Sequence, residues 1–447
     1  MPTASSSDAG LVKTLRPIDA VMIVVGNVVG VGIFTTTGFI AAELPDARLI
    51  MGAWLLGGLL TILGALAYGE LGAAFPRAGG DYVYLREAYG PLAGFLVGWV
   101  GFFIINPGSI AALGLGLAEY LLPLVVRDPE AIGSGMKNGT ALAAIFSFSL
   151  LNYVSLRWAS RAQNLVSGLN LLTMVLILAV GFLWGSGNWG HLTHRAPDAA
   201  LGGLFGPAMV SVFFTYSGWF VAAYVASEMK DPQRTLPLAL LAASLVVTVL
   251  YLLMNLFYLY ALPVPEMDGM VDIARRASEA LLGSGAAIFF SIMILLGILG
   301  SLNSVILTAP RIYFAMARDR LFPRFVGRAH HRFRTPHQAV VVQAAVAAVM
   351  VLAGTFYQLL AYTVFFMLLT SVATVAGLFV LRHRRPDLER PFKVWGYPVT
   401  PLLFIAAYAW IGVRLFLYNP TNALIGLLIA ISGVPFYFFW KHKAQKE

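Results

Sequence analysis

Long apolar runs separated by short polar joints divide this chain along nearly its whole length. Twelve runs are predicted, at about 17–44, 48–75, 90–122, 139–157, 162–186, 203–229, 236–261, 280–312, 337–354, 357–381, 398–418 and 420–440. Each is near or above the roughly 20 residues an apolar helix needs to cross a bilayer. The joints carry helix punctuation: Pro17 opens the first run and Pro45-Asp46 closes it. Asp231-Pro232 stops the sixth and Pro237 starts the seventh, because proline cannot donate a backbone hydrogen bond but suits a first turn. Inside the third run, Asn106-Pro107-Gly108-Ser109 removes one such bond, tolerable in lipid only where neighbours or water meet the freed carbonyl. Residues 76–84 read as a polar joint with interfacial tyrosines. The expected fold is an all-α integral membrane protein with twelve transmembrane helices.

The first run is weakest at its centre, Gly26-Asn27-Val28-Val29-Gly30-Val31-Gly32-Ile33-Phe34. Each glycine costs a helix interior about 1 kcal/mol relative to alanine. Gly26-x-x-x-Gly30 suits close helix packing, while unwound backbone at that depth suits a polar solute. The sixth run repeats the pattern at Phe214-Thr215-Tyr216-Ser217-Gly218-Trp219. It opens a second group of five runs as the first run opens the first group. An odd number per group makes the two groups enter the membrane from opposite sides. The expected organisation is a tail at 1–16, repeats at 17–186 and 203–381, two further helices within 398–440 and a tail at 441–447. Interrupted helices at matching places in two inverted halves point to a transporter's midplane site.

The chemistry follows from the breaks, placed at Gly26, Gly30, Gly32, Ser217 and Gly218. The N–H groups of Val31 and Gly32, at the start of the second half-helix, suit a carboxylate. The carbonyls of Val28, Phe214 and Ser217, beside Gly218, suit an ammonium group. Together they describe the common part of an α-amino acid. Phe214 and Trp219 are candidate gates, and Tyr216 fits a gate or packing equally. For ion coupling, Asn170, Ser301 and Ser304 offer oxygens to a cation or bond only to backbone. Glu228 is expected to pair with Lys230 or an arginine of the eighth run. No acidic residue is expected near the site, and no proton carrier stands out within the runs.

Composition and charge narrow the class. Of 447 residues, 59% are hydrophobic and 11% charged, against about 25% charged in ordinary soluble proteins. Of the 30 Lys and Arg residues, 23 fall in alternate joints and both tails, which predicts cytoplasmic termini. The net charge of +9 is thus a topology signal and not a nucleic-acid patch. With no cysteine, disulfides and thiolate chemistry are excluded. All seven histidines fall in joints or tails, and His191 with His194 lacks further ligands, so neither metal nor cofactor is expected. No run groups a nucleophile, base and orienter, so an enzyme is not expected. The first ten residues are small and polar, without a secretory signal.

These residues resemble the L-type amino acid transporter family of the amino acid–polyamine–organocation superfamily, over about residues 15–415. Gly30-x-Gly32-Ile33-Phe34 resembles its first-helix motif, and Pro76-x-x-Gly79-Gly80-x-Tyr82-x-Tyr84 the loop after its second helix. Tyr216-Ser217-Gly218-Trp219, followed by Glu228-x-Lys230-Asp231-Pro232-x-Arg234-x-x-Pro237, is similar to its sixth helix and exit. Asn303, Arg311 and Leu321-x-Pro323 resemble the end of its eighth helix. The resemblance implies a LeuT-like fold with a 5+5 inverted repeat, plus two C-terminal helices, and alternating access. It also implies exchange of neutral amino acids across the plasma membrane, with the site residues named above. Three positions depart from the family. Val31 stands where many members have serine, Asn170 where members often have lysine, and no external cysteine exists for a disulfide-linked heavy chain. The second departure keeps proton- or sodium-coupled symport as the alternative; a channel or receptor is the rival from another class.

Overall fold

In a bilayer every backbone N–H and C=O must be satisfied within the protein, and a helix does this locally. The computed structural model describes residues 11–128, 131–193, 205–283, 285–353 and 356–446, and these are helical nearly throughout. The first half contains α1 (Pro17–Val28), α2 (Gly32–Glu43), α3 (Ala47–Ala74), α4 (Asp81–Tyr89), α5 (Pro91–Val100), α6 (Asn106–Val125), α7 (Ser134–Val154) and α8 (Leu156–Trp184). The second contains α9 (Phe205–Tyr216), α10 (Pro232–Ala261), α11 (Val264–Met267), α12 (Ile273–Leu282), α13 (Ala286–Thr308), α14 (Pro310–Arg318), α15 (His337–Ala353) and α16 (Phe356–Arg384). Then follow α17 (Val399–Tyr418) and α18 (Pro420–Lys446).

Among the described residues, nine helical stretches are long and apolar enough to cross a membrane, ten when the bent pair α1–α2 is one span. Helices α7 and α15 fall at the expected fourth and ninth spans, so each of the twelve predicted runs has a helical counterpart. The turn at Thr355, residues 1–10 and His194 lie outside the described residues.

One joint differs from expectation, and span three is irregular where its proline interrupts it. Span three crosses its proline by a π-helical turn, Gly101–Ile105, between α5 and α6. The Asn106 amide donates to the Gly101 carbonyl at 2.8 Å and to the Tyr313 hydroxyl at 3.0 Å, satisfying one group the irregular turn loosens. The expected polar joint after span two is instead the short helix α4, with Asp81, Tyr82 and Tyr84 buried. It starts at Gly80, whose φ of +48° disfavours a side chain and where a Cβ would collide with Tyr224.

Span two lies along span seven, α3 against α10, and bare backbone allows the approach. A Cβ on Gly58 would strike Thr248, and one on Gly72 would strike Leu236. Buried ion pairs cluster on the side that carries the termini, here the terminal face. Glu70 accepts from Arg382 at 2.9 and 2.5 Å and from the Val394 N–H at 2.8 Å. Glu228 accepts from Arg311 at 2.8 and 3.0 Å, settling its partner as the span-eight arginine. The Thr14 and Leu15 N–H groups both donate to the Glu228 carbonyl at 2.9 Å, clipping the N-terminal segment across the exit of span six.

Removing one partner of a buried pair leaves an uncompensated charge. Glu228→Gln should therefore destabilise the protein by about 3–5 kcal/mol in detergent unfolding. Glu228→Gln with Arg311→Met should recover a large part of that loss.

Candidate functional site

Spans one and six both lose α-helical geometry mid-course. Helices α1 and α2 meet at a 42° bend across residues 29–31. Helix α9 ends at Tyr216, and residues 217–220 form a turn before a 3₁₀ segment, Val221–Glu228. Gly218 has φ +90°, and a Cβ there would occupy the place of the Asn27 amide, so glycine is required twice over. That amide donates to the Gly218 carbonyl at 3.2 Å, tying one break to the other.

Both breaks face one cavity of about 1360 Å³, lined by Val28, Gly30, Val31, Gly32, Phe214, Ser217, Gly218 and Ser301 among others. Ordinary ligand pockets measure about 300–1,000 Å³, so this volume holds a site and an approach to it. Its lining reaches Glu43, Lys137 and Arg414, near helix ends on the face opposite the termini. Towards the terminal face its lining includes Phe220, Val221, Tyr224, Ile312 and Asp81, on the side of the N-terminal clip and the Glu228–Arg311 pair.

The broken ends present the expected groups, with adjustments. Helix α2 begins at Gly32, and the first N–H groups of a helix have no intrahelical acceptor. A Cβ on Gly32 would stand 2.9 Å from the Thr215 side chain, so little else fits. The Val28 carbonyl accepts from the Gly30 N–H and the Tyr251 hydroxyl, both at 2.8 Å. The Phe214 carbonyl accepts from the Ser217 hydroxyl at 2.7 Å and its N–H at 3.1 Å. In this state both acceptors are occupied by the protein itself.

Some sequence assignments are corrected. Gly26 lies within α1 and not in the break; a Cβ there would collide with Gln163 and Ser167, so it is a packing glycine. Trp219 does not line the cavity. It is buried against Tyr68, with ring centroids 4.8 Å apart, and near Phe404, so it packs and does not gate. Tyr216 donates to the Trp54 carbonyl at 3.1 Å and packs likewise. Asp81 is an acidic residue of the cavity lining, where none was expected.

The coupling candidates hold α1 in place. Ser301 donates to the carbonyls of Gly26 and Asn27 at 3.0 and 3.2 Å, and Ser304 to that of Ile23 at 2.9 Å. Asn170 donates to the Val29 carbonyl at 3.4 Å, while its own oxygen is buried and unpartnered.

Two residues escaped the sequence reading. The Tyr251 hydroxyl reaches the carbonyls of both Val28 and Thr215, at 2.8 and 3.2 Å, one from each broken span. Asn27 sits inside the glycine motif yet acts through its side chain. For Asn27, a polar residue at membrane depth was the available signal; for Tyr251, nothing in an apolar helix distinguished it.

Two spans broken around a common cavity, with one face closed beneath it, define a secondary transporter with a broken-helix site. The chain belongs to the amino acid permease family, whose model matches residues 15–437. It is 33% identical to Asc-type amino acid transporter 1 of Mus musculus, over 99% of this chain and 84% of that protein. It is 31% identical to the serine/threonine exchanger SteT of Bacillus subtilis, over 98% of this chain and 99% of that one. Identity to the human large neutral amino acids transporter small subunit 2 is also 31%, over 99% of this chain and 84% of that protein.

Tyr251→Phe deletes the hydroxyl shared by the two breaks. It should cost about 1–3 kcal/mol in thermal unfolding and lower the transport rate more than Tyr260→Phe, a change at the Gly185 carbonyl.

Proposed function

We propose that this chain exchanges neutral amino acids across the plasma membrane by alternating access, with cytoplasmic termini and without a disulfide-linked heavy chain. The observation that carries this reading is the convergence of both breaks on one cavity, with a helix N-terminus facing carbonyl-bearing turns. The substrate carboxylate docks at the N–H groups of Val31 and Gly32, where charge-assisted hydrogen bonds return roughly 1.5–3 kcal/mol each. Its ammonium group takes lone pairs on the carbonyls of Val28, Phe214 and Ser217. The Ser217 hydroxyl must then turn away from Phe214, so substrate replaces an internal donor. Phe214, on the opposite-face side of the break, closes over the bound molecule.

The relatives' names support a neutral cargo: one is a serine/threonine exchanger and another a large neutral amino acids transporter subunit. The residues at the two breaks are uncharged, consistent with that choice. Absence of cysteine supports function without a disulfide-linked partner. Relatives that are transporters support a non-enzymatic role.

A second reading, ion-coupled symport, rests on the unpartnered Asn170 oxygen beside the Val29 carbonyl. With Ser301 close by, it offers a monovalent cation neutral oxygen ligands. Uptake into vesicles without internal substrate, driven by a sodium or proton gradient, would favour this reading over exchange.

In proteoliposomes loaded with unlabelled serine, labelled neutral amino acids should accumulate by counterflow. Gly32→Leu, which forces a side chain onto Thr215, should abolish it; undiminished exchange by that variant would overturn the site. A thermal-shift screen should single out the cargo, since ligand at 100 times Kd stabilises by about 2.7 kcal/mol.

A further inference from the structure

Asp81 is 1% exposed, yet it contributes to the terminal-face end of the cavity lining. Its Oδ1 accepts from the hydroxyls of Tyr68 at 2.5 Å and Thr374 at 2.8 Å, and its Oδ2 from Tyr224 at 2.7 Å. These donors belong to α3, α16 and the 3₁₀ segment of span six, so one carboxyl gathers three elements beneath the site.

Among the described residues no cation pairs with Asp81, because the bases nearby have other partners. On its own helix, Arg86 reaches Asp319 and Glu87, while Tyr82 donates to Asp319. The Tyr84 hydroxyl, also on α4, is buried without a partner. On α3, Glu70 holds Arg382 of α16 and lies 3.4 Å from Arg390. On span six, Glu228 holds Arg311 of α14, and Tyr313 of that helix bonds to the Gly101 carbonyl. An acid buried in a membrane bundle without a counter-cation is a functional group by default.

We propose that Asp81 is a proton-binding site coupled to the terminal-face gate, protonated more readily while that face is shut and ionised as it opens. The proposal rests on the alternating-access reading above. Opening must draw the 3₁₀ segment with Tyr224 away from α3 and α16, which separates the three hydroxyls and admits water to the carboxyl. The step is simple: an O–H bond of the acid breaks and water takes the proton, and hydronium returns it on closing.

The direction follows from competing influences on the shut state. Burial disfavours the charged form, while the hydroxyls of Tyr68, Tyr224 and Thr374 favour it; burial prevails and raises the pKa above the ordinary carboxylate value. Hydration in the open state brings it back towards about 3.9. The state with the higher pKa gains as pH falls, so acid favours the shut face and rising pH favours its opening.

The chain has no cysteine, so Val221→Cys is a sole reporter in the cavity wall. A membrane-impermeant maleimide is applied to vesicles of both orientations. The ratio of terminal-face to opposite-face labelling at each pH cancels the reagent's own pH dependence. The ratio should fall as the pH is lowered from about 8 to about 4, by at most about tenfold per pH unit for a single proton. With Asp81→Asn, a neutral mimic of the acid, it should stay low and flat. Tyr224→Phe removes a bond that favours the ionised form and should move the midpoint to higher pH. That shift decides the matter if Asp81→Asn does not fold. A flat ratio in the Val221→Cys parent, unchanged pH dependence in Asp81→Asn, or an unmoved midpoint in Tyr224→Phe would overturn the proposal. Labelling needs no substrate, so failure of the exchange reading in counterflow is separately visible.

Discussion

A helix interrupted inside a bilayer frees N–H and C=O groups that lipid cannot satisfy. Side-chain donors around the two breaks answer that constraint. Tyr251 spans the Val28 and Thr215 carbonyls, Asn27 reaches Gly218, and Ser301 covers Gly26 and Asn27. The Ser217 hydroxyl folds back on Phe214. These donors come from α1, α10, α13 and the span-six turn itself, so the unwound backbone is held by its neighbours. On the proposed assignment of the site, substrate binding is an exchange of hydrogen-bond partners, which is cheaper than creating bonds from buried orphans.

Much of this was legible because helices in lipid leave strong traces. Apolar run length gave the twelve spans, and the glycines at 30, 32 and 218 marked where they fail. What escaped was the direction of side chains. Gly26 and Gly30 look alike in sequence, yet only Gly30 lies in the break, because Gln163 and Ser167 press on the α1 surface at Gly26. Trp219 follows directly on the break, but the turn aims it at α3 and away from the cavity. Asp81 read as a solvated joint residue, since a loop and a buried amphipathic helix between spans have similar composition. Only tertiary packing turns α4 inward.

The terminal face is closed in layers of different chemistry. Nearest the site are Phe220 and Val221, then the hydroxyl collar around Asp81, then the ion pair Glu228–Arg311, and across it the backbone clip from Thr14 and Leu15. Apolar contact, hydroxyl-to-carboxyl bonds, paired charges and main-chain bonds differ in their response to water. Each layer loses its advantage once the one above admits solvent, which favours opening as a single event.

The second half of span six, Val221–Glu228, is of 3₁₀ type but kinked at Val225, where φ is −104° and ψ 15°, so it is two short pieces and not one rod. Span six thus bends twice within its own backbone, at Gly218 and again at Val225, so its exit need not move rigidly with α9.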